Sequence, residues 1–393
     1  YTDILNIPPY SMKKEEKEAS FYGFMLLSFS GFLGMTFSGN LFSSYVFFEM
    51  ITLCSFPLVL HERTKEALFG GKKYLFYSIG GSLAALFGVF LLSFCGVSDF
   101  SAGTEVSASP LTVTGIFLCV VGFGAKAGMF PMQSWLPSAH PVAPAPASAL
   151  LSGILTKAGI FMIVRILFFC GGSLIQGTWA QYWLLALALL TVLTGSVLAL
   201  KEQDIKKRLA FSTVSQTSYI LLGFLSFTPA GLIGGFLHVI LHCLAKTALF
   251  LCAGAVIYQT DTRDVSLFDG LGKKMPVTMG AFTLASLALI GIPPTVGFSS
   301  KWYLASGALS GGLYGWGVAV PVILLISAVF TAGYLLPVSV RSFFAGATAD
   351  AKEKRREASP LMTVPLGVLS VLTLIAGLFS GVLSGWIAGC FGL

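Results

Sequence analysis

Apolar stretches of about 20 residues recur along this chain, separated by short charged islands, and that length matches the hydrocarbon thickness of a bilayer crossed by an α-helix. The islands are KKEEKE (13–18), HERTKEALFGGKK (61–73), KEQDIKKR (201–208) and AKEKRREAS (351–359), and each reads as a loop. Between them the pattern predicts eleven spans, near 20–39, 41–60, 73–96, 111–131, 146–169, 179–200, 206–227, 229–258, 277–308, 312–343 and 360–387. The expected fold class is therefore an all-α polytopic membrane protein.

Composition agrees. Of 393 residues, 55% are hydrophobic and 10% charged, which excludes a soluble enzyme with a water-facing shell. If the spans alternate in direction, nineteen of the 24 Lys and Arg residues fall on one side, and the opposite loops hold only the acidic Asp99 and Glu105. The positive-inside rule makes the basic side cytoplasmic, with residue 1 inside and Leu393 outside. The net charge of +7 is thus a topogenic signal, with no nucleic acid implied. The opening YTDILNIPPYSMKKEEKE has no apolar core, so no cleavable signal peptide is expected. The chain starts at Tyr1, which keeps a fragment, a processed product or a split subunit open.

The seven cysteines show no CxxC pair, and no dinucleotide fingerprint, P-loop or Fe–S spacing occurs, so no cofactor is expected in this chain. His238 and His242 have an HxxxH spacing, but no acidic ligand lies beside them and Cys243 points elsewhere; no metal is expected.

Six ionisable groups inside spans remain: Glu49, Lys126, Lys157, Arg165, Lys246 and Lys301. Each costs about 2.5–3.5 kcal/mol at a helix centre on insertion scales, so each is a functional candidate. Glu49 is too short to snorkel and needs a partner. Lys126 precedes Pro131 by five residues, where freed carbonyls or water can solvate an ammonium. Lys157 is flanked by Ser152, Gly153, Ala158 and Gly159, which leave room for close helix packing or water. His238, His242 and Lys246 share one helical stripe. Pro293 and Pro294 break a second helix, with Lys301 two turns later. Any one of these side chains alone could be a packing group or cap a neighbouring helix. Arg165, near a helix end, reads as a snorkelling or structural cation in preference to a transport residue. Together the others form an unbalanced polar axis. A lysine–carboxylate pair at about 4 Å interacts by roughly 4 kcal/mol at an effective dielectric near 20. Moving a charge across about 100 mV costs roughly 2.3 kcal/mol, so such a pair is scaled for energy coupling.

The interrupted fourth and ninth spans are five apart, so they run in opposite senses, which points to inverted repeats around a midplane path. This divides the chain into a cytoplasmic segment 1–19, five-helix repeats 20–169 and 170–343, a cytoplasmic loop 344–359 and a peripheral helix 360–393.

Five motifs carry a family resemblance: FFEM around Glu49, KAGMFPMQSWLPSAHPVAPAPASALLSGILTKAGIF (126–161), DIKKRLAFSTVSQTSYILLGF (204–224), the run from His238 to Gly254, and GIPPTVGFSSKWYL (291–304). The chain resembles the antiporter-like subunits of respiratory complex I, shared by Mrp cation/proton antiporters and membrane-bound hydrogenases, and is most similar to the Mrp D type. The resemblance implies that Glu49 and Lys126 are a glutamate–lysine pair, Lys157 the lysine of the next helix, His238, His242 and Lys246 a central relay, and Lys301 the terminal lysine. It implies that His140 lines a cytoplasmic half-channel or stabilises the interrupted helix. The family usually has fourteen helices; the three before the Glu49 region have no counterpart, nor has the long lateral helix of one member. The implied function is a proton-translocating subunit of a redox-driven pump in a prokaryotic inner membrane, itself without a redox centre. Fe–S clusters or flavin would reside in partner subunits of a complex I-like, hydrogenase-like or Mrp-like assembly. The alternatives are a sodium/proton antiporter subunit without redox chemistry, a module coupled to a soluble enzyme as in inorganic-carbon uptake, and a scaffold.

Overall fold

The computed structural model describes residues 14–100, 108–345 and 357–393, and the described residues build helices with no strand beyond two isolated bridges. The segment 1–13, Glu105 and most of the charged loop 344–359 lie outside the described residues. The first half runs through α1 (Lys14–Phe37), α2 (Leu41–Val59), α3 (Lys65–Phe94) and α4 (Pro110–Ala127). Short α5 (Leu136–Ala139) and α6 (Ala145–Leu150) follow, and a π-helical turn, Leu151–Leu155, leads into α7 (Thr156–Phe169). The second half has α8 (Trp179–Lys201), α9 (Ile205–Leu225), α10 (Pro229–Thr260), short α11 (Leu271–Lys274), α12 (Pro276–Ile290), α13 (Val296–Ser310) and α14 (Gly315–Phe344). The C-terminal span is divided into α15 (Pro360–Leu378) and α16 (Ser380–Phe391).

Nine of the described helices are long and apolar enough to cross a membrane. Two further crossings complete the eleven expected. The 21-residue α9 is long enough but too polar to pass on composition, and α12 with α13 makes one interrupted crossing. The spans start where capping residues stand: Asn40, Thr64, Ser109, Asp204 and Thr228 each accept a hydrogen bond from the third backbone N–H beyond them.

Three of the charged islands are not simply loops: α1 begins at Lys14, inside the first of them. Thr64 begins α3, so Lys65 to Lys73 are helical, and in 201–208 only Glu202, Gln203 and Asp204 leave the helix. Lys206 and Arg208 are buried on α9. Long cationic side chains let a helix extend past the apolar zone, so a charge run does not mark a helix end.

The two halves repeat the same devices. Asn40 bridges to Asp99, joining the α1–α2 turn to the segment after α3; Asp204 bridges to Asp264, joining the α8–α9 turn to the segment after α10. The bonds match: Leu41 N to Ser98 O (2.9 Å) and Phe100 N to Gly39 O (3.2 Å), against Ile205 N to Arg263 O (2.9 Å) and Val265 N to Gln203 O (3.1 Å). Hydrogen bonds from the Ser266 backbone and hydroxyl hold the Asp264 carboxyl below the usual carboxylate range. Each interrupted span ends its first part on a left-handed glycine, Gly128 (φ 85°) and Gly291 (φ 93°). Each then has a cis proline bond, Phe130–Pro131 and Pro293–Pro294.

Arg165 is structural. Its guanidinium donates to Met35 O, Ser38 O, Thr36 O and Ser44 Oγ, closing the last turn of α1 against α2, and it lies over the Phe100 and Phe161 rings. Arg165→Ala strands these carbonyls and is expected to cost on the order of 2 kcal/mol. A lowered thermal midpoint with unchanged proton flux per assembled complex checks this assignment.

Candidate functional site

The basic side chains singled out by the sequence lie inside the helix bundle. Lys126, Lys157, His238, His242 and Lys246 are all at most 5% exposed, whereas Glu49 and Lys301 are half-buried. A buried ammonium must find oxygen or nitrogen partners or it will not be tolerated.

At the α2 end, Lys126 donates to Thr52 Oγ1 (3.1 Å) and forms a short hydrogen bond with the Tyr74 hydroxyl. Tyr74 also bonds Ser55 Oγ (2.6 Å), and the ammonium lies over the Tyr74 and Trp135 rings. The carbonyls freed by the break do not hold this lysine. Trp135 Nε1 takes Ala125 O (2.9 Å) and Thr217 Oγ1 takes Ala127 O (2.7 Å), so the helix end is satisfied without it. Glu49 sits on the same helix as Thr52, one turn before it, and interacts electrostatically with Lys126, but among the described residues no ion pair joins the two. Its Oε1 is buried without a partner.

The basic groups continue on α7. A Cβ on Gly159 would lie 2.3 Å from Phe123 O and 3.2 Å from the Lys126 Cβ, so glycine there lets α4 and α7 touch. The π-helical turn precedes Lys157, and π-turns concentrate at functional sites. Lys157 donates to Ser152 O (2.7 Å) and makes a short hydrogen bond to His242 Nδ1, which joins the two halves of the chain directly.

On α10 the stripe is as the spacing required. Lys246 donates to Leu209 O (3.0 Å), and His242 Nε2 is buried without a partner. His238 is bonded on both nitrogens, to Ser300 Oγ and Gln216 Oε1 (3.0 Å each), and stacks on Tyr219 with ring centroids 5.1 Å apart. Lys301, next to Ser300, donates to Leu289 O (2.9 Å) and Ile290 O (2.6 Å) and lies over the same Tyr219 ring. Here the freed carbonyls of the interrupted helix do solvate the lysine.

His140 is fully buried between Trp135 and Phe250, with neither ring nitrogen partnered. Pro131 lies between α4 and α5, and Pro293 and Pro294 between α12 and α13. No cluster of His, Cys, Asp and Glu suited to a metal occurs among the described residues.

Sequence reasoning on charges missed Thr52, Tyr74, Gln216, Tyr219 and Ser300. One signal was present: α9 carries Ser212, Thr213, Ser215, Gln216, Thr217 and Ser218, all buried, in a span-length helix where hydroxyls and an amide have no reason to be unless other polar groups face them.

The fold and these residues define a polytopic membrane protein with ionisable groups buried between two interrupted helices. Residues 38–331 match the family NADH:quinone oxidoreductase/Mrp antiporter, transmembrane, and the chain belongs to that family. It is 35% identical to NADH-quinone oxidoreductase subunit N of Desulforudis audaxviator, covering 95% of this chain and 77% of the relative. It is 38% identical to hydrogenase-4 component B of Escherichia coli over 75% of this chain, spanning 46% of that relative's length. Among solved structures, a chain of the Mrp complex from a Dietzia species superposes with a TM-score of 0.81 at 26% identity, covering 93% of this chain and 76% of that one.

Proposed function

We propose that this chain is the proton-translocating, antiporter-like membrane subunit of a multisubunit redox-driven ion pump, with the redox cofactors in its partners. The observation that carries it is the Lys157–His242 hydrogen bond, because it joins the buried basic groups of the first half of the chain to those of the second. Glu49, Lys126, Lys157, His242, His238, Lys246 and Lys301 are the proton-transfer groups. Only the end members, Glu49 and Lys301, reach toward the surface, where charge changes in a neighbouring subunit would act on them. The halves 20–169 and 170–343 are inverted repeats, supported by their matching bridges and interruptions. The basic loops face the cytoplasm and the acidic ones the outside of a prokaryotic inner membrane.

The test is flux by the assembled complex in proteoliposomes. Glu49→Gln and Lys126→Ala are each expected to stop proton translocation with assembly intact; unchanged flux in both refutes the path. The second reading, a sodium/proton antiporter subunit without redox chemistry, is favoured by the superposition on the Mrp complex chain. Co-purification with Fe–S-containing, brown partners supports the first reading, and a colourless assembly the second.

A further inference from the structure

A cavity of about 630 Å³ lies on the basic side of the bundle, where the turn between α5 and α6 meets the last turns of α10. Its exposed rim carries Glu62, Glu66 and Arg263; its buried depth is formed by Ala143, Lys206 and Gly254. Lys206 is 5% exposed and donates to Ala143 O at 2.8 Å, across the interruption between α5 and α6.

From this cavity one stripe of α10 leads inward. Gly254, Phe250, Lys246, His242 and His238 follow at four-residue intervals, a ridge that winds about the helix from the cavity wall to the midplane row, and all five are buried. A Cβ on Gly254 would lie 2.2 Å from the Ala145 Cβ, so the stripe is pressed against α6 at the cavity wall. Phe250 stacks on His140 at 4.8 Å. A buried imidazole with two unpartnered nitrogens is costly unless water meets it. His140 therefore stands between cavity and row with both nitrogens free to exchange a proton.

The signs of the charges along this route are uneven. Lys206 interacts with Arg263, Asp204 and Glu62, all toward the rim. His140 interacts with Lys246, Lys206 and Lys157, with no carboxylate among them. The backbone oxygens that could replace a metal ion's hydration are occupied: Ala143 O by Lys206 and Leu209 O by Lys246. An alkali cation attracted by Glu62 and Glu66 next meets the buried Lys206 ammonium, which already takes up Ala143 O. A proton passes by exchange on nitrogen and water.

We propose that Lys206 is the specificity-determining residue of this inlet, its ammonium barring alkali cations between the Glu62/Glu66 rim and His140 so that only protons reach Lys246. The inference rests on the proton-path reading above, and its first test does not depend on transport. In the assembled complex with its seven native cysteines replaced, Ala143→Cys is labelled with an anionic and a cationic methanethiosulfonate. The anionic reagent should react faster. Lys206→Ala should shift that preference by about tenfold toward the cation, as expected for charge focusing in a cleft, and Lys206→Arg should preserve it. A preference indifferent to residue 206 overturns the proposal. In proteoliposomes, Lys206→Ala should admit radioactive sodium that the unsubstituted complex and Lys206→Arg exclude, and continued exclusion by Lys206→Ala overturns it as well. If labelling follows the charge at 206 while the unsubstituted complex moves no protons, the inlet electrostatics stand and the proton-path reading fails.

Discussion

Lys157→Met is expected to stop proton transfer between the two halves of the molecule while the assembled complex remains intact. Methionine fills the space of the lysine stem and adapts to an irregular packing environment. Removing the lysine leaves His242 without a partner on either nitrogen, at a cost on the order of 1–3 kcal/mol, so the amount of assembled complex is measured beside the flux. What is lost is the one hydrogen bond from the first half to His242, together with the bond to Ser152 O. Positioned proton-transfer groups contribute about 10²–10⁴ in rate, so flux should fall by at least about 100-fold. Dye-monitored proton uptake in proteoliposomes, normalised to assembled complex, measures it. A rate equal to that of the unsubstituted complex removes Lys157 from the path.

Gly297→Ala is expected to have the largest effect on stability. A Cβ at this position would lie 1.8 Å from Ala288 O and 3.0 Å from its carbonyl carbon, both backbone atoms that cannot rotate away. The interrupted pair α12 and α13 would have to separate, at a cost of about 3 kcal/mol or more. The carbonyls of Leu289 and Ile290 would move from Lys301 at the same time. Gly280→Ala is the control, since a Cβ there meets nothing within 4 Å on the same α12 and alanine is the better helix former. A lower thermal midpoint and less assembled complex for Gly297→Ala alone bears out the argument; equal behaviour of the two variants contradicts it.

The spans, both interruptions and the basic row were legible in the sequence because lipid makes two signals unusually strong. A bilayer fixes the length of an apolar run, and it makes every interior charge an exception. Lys157, His238, His242 and Lys246 stood out on that ground and lie together in the structure. The partners of Lys126 did not. Thr52 and Tyr74 are ordinary residues of membrane helices, and only the packing of α2, α3 and α4 brings them to the ammonium. The freed carbonyls at the first break looked like the natural hosts for Lys126, but Trp135 and Thr217 reach them first. At the second break the same reasoning held for Lys301. Helix ends were misjudged at Lys14 and Lys65 because charged turns extend beyond the apolar zone. The paired bridges rest on backbone bonds, to which side-chain patterns are blind.

Those bridges also bear on how the chain is assembled during synthesis. The clamp between Asn40 and Asp99 uses nothing beyond Phe100, so it can close once three helices have left the ribosome and the translocon. The Asp204–Asp264 clamp likewise needs only α8, α9 and α10 of its own half. Each half can thus mature as a three-helix unit before its interrupted helix is made. The helix carrying Lys126 or Lys301, the fourth span of its half, then docks onto a finished template.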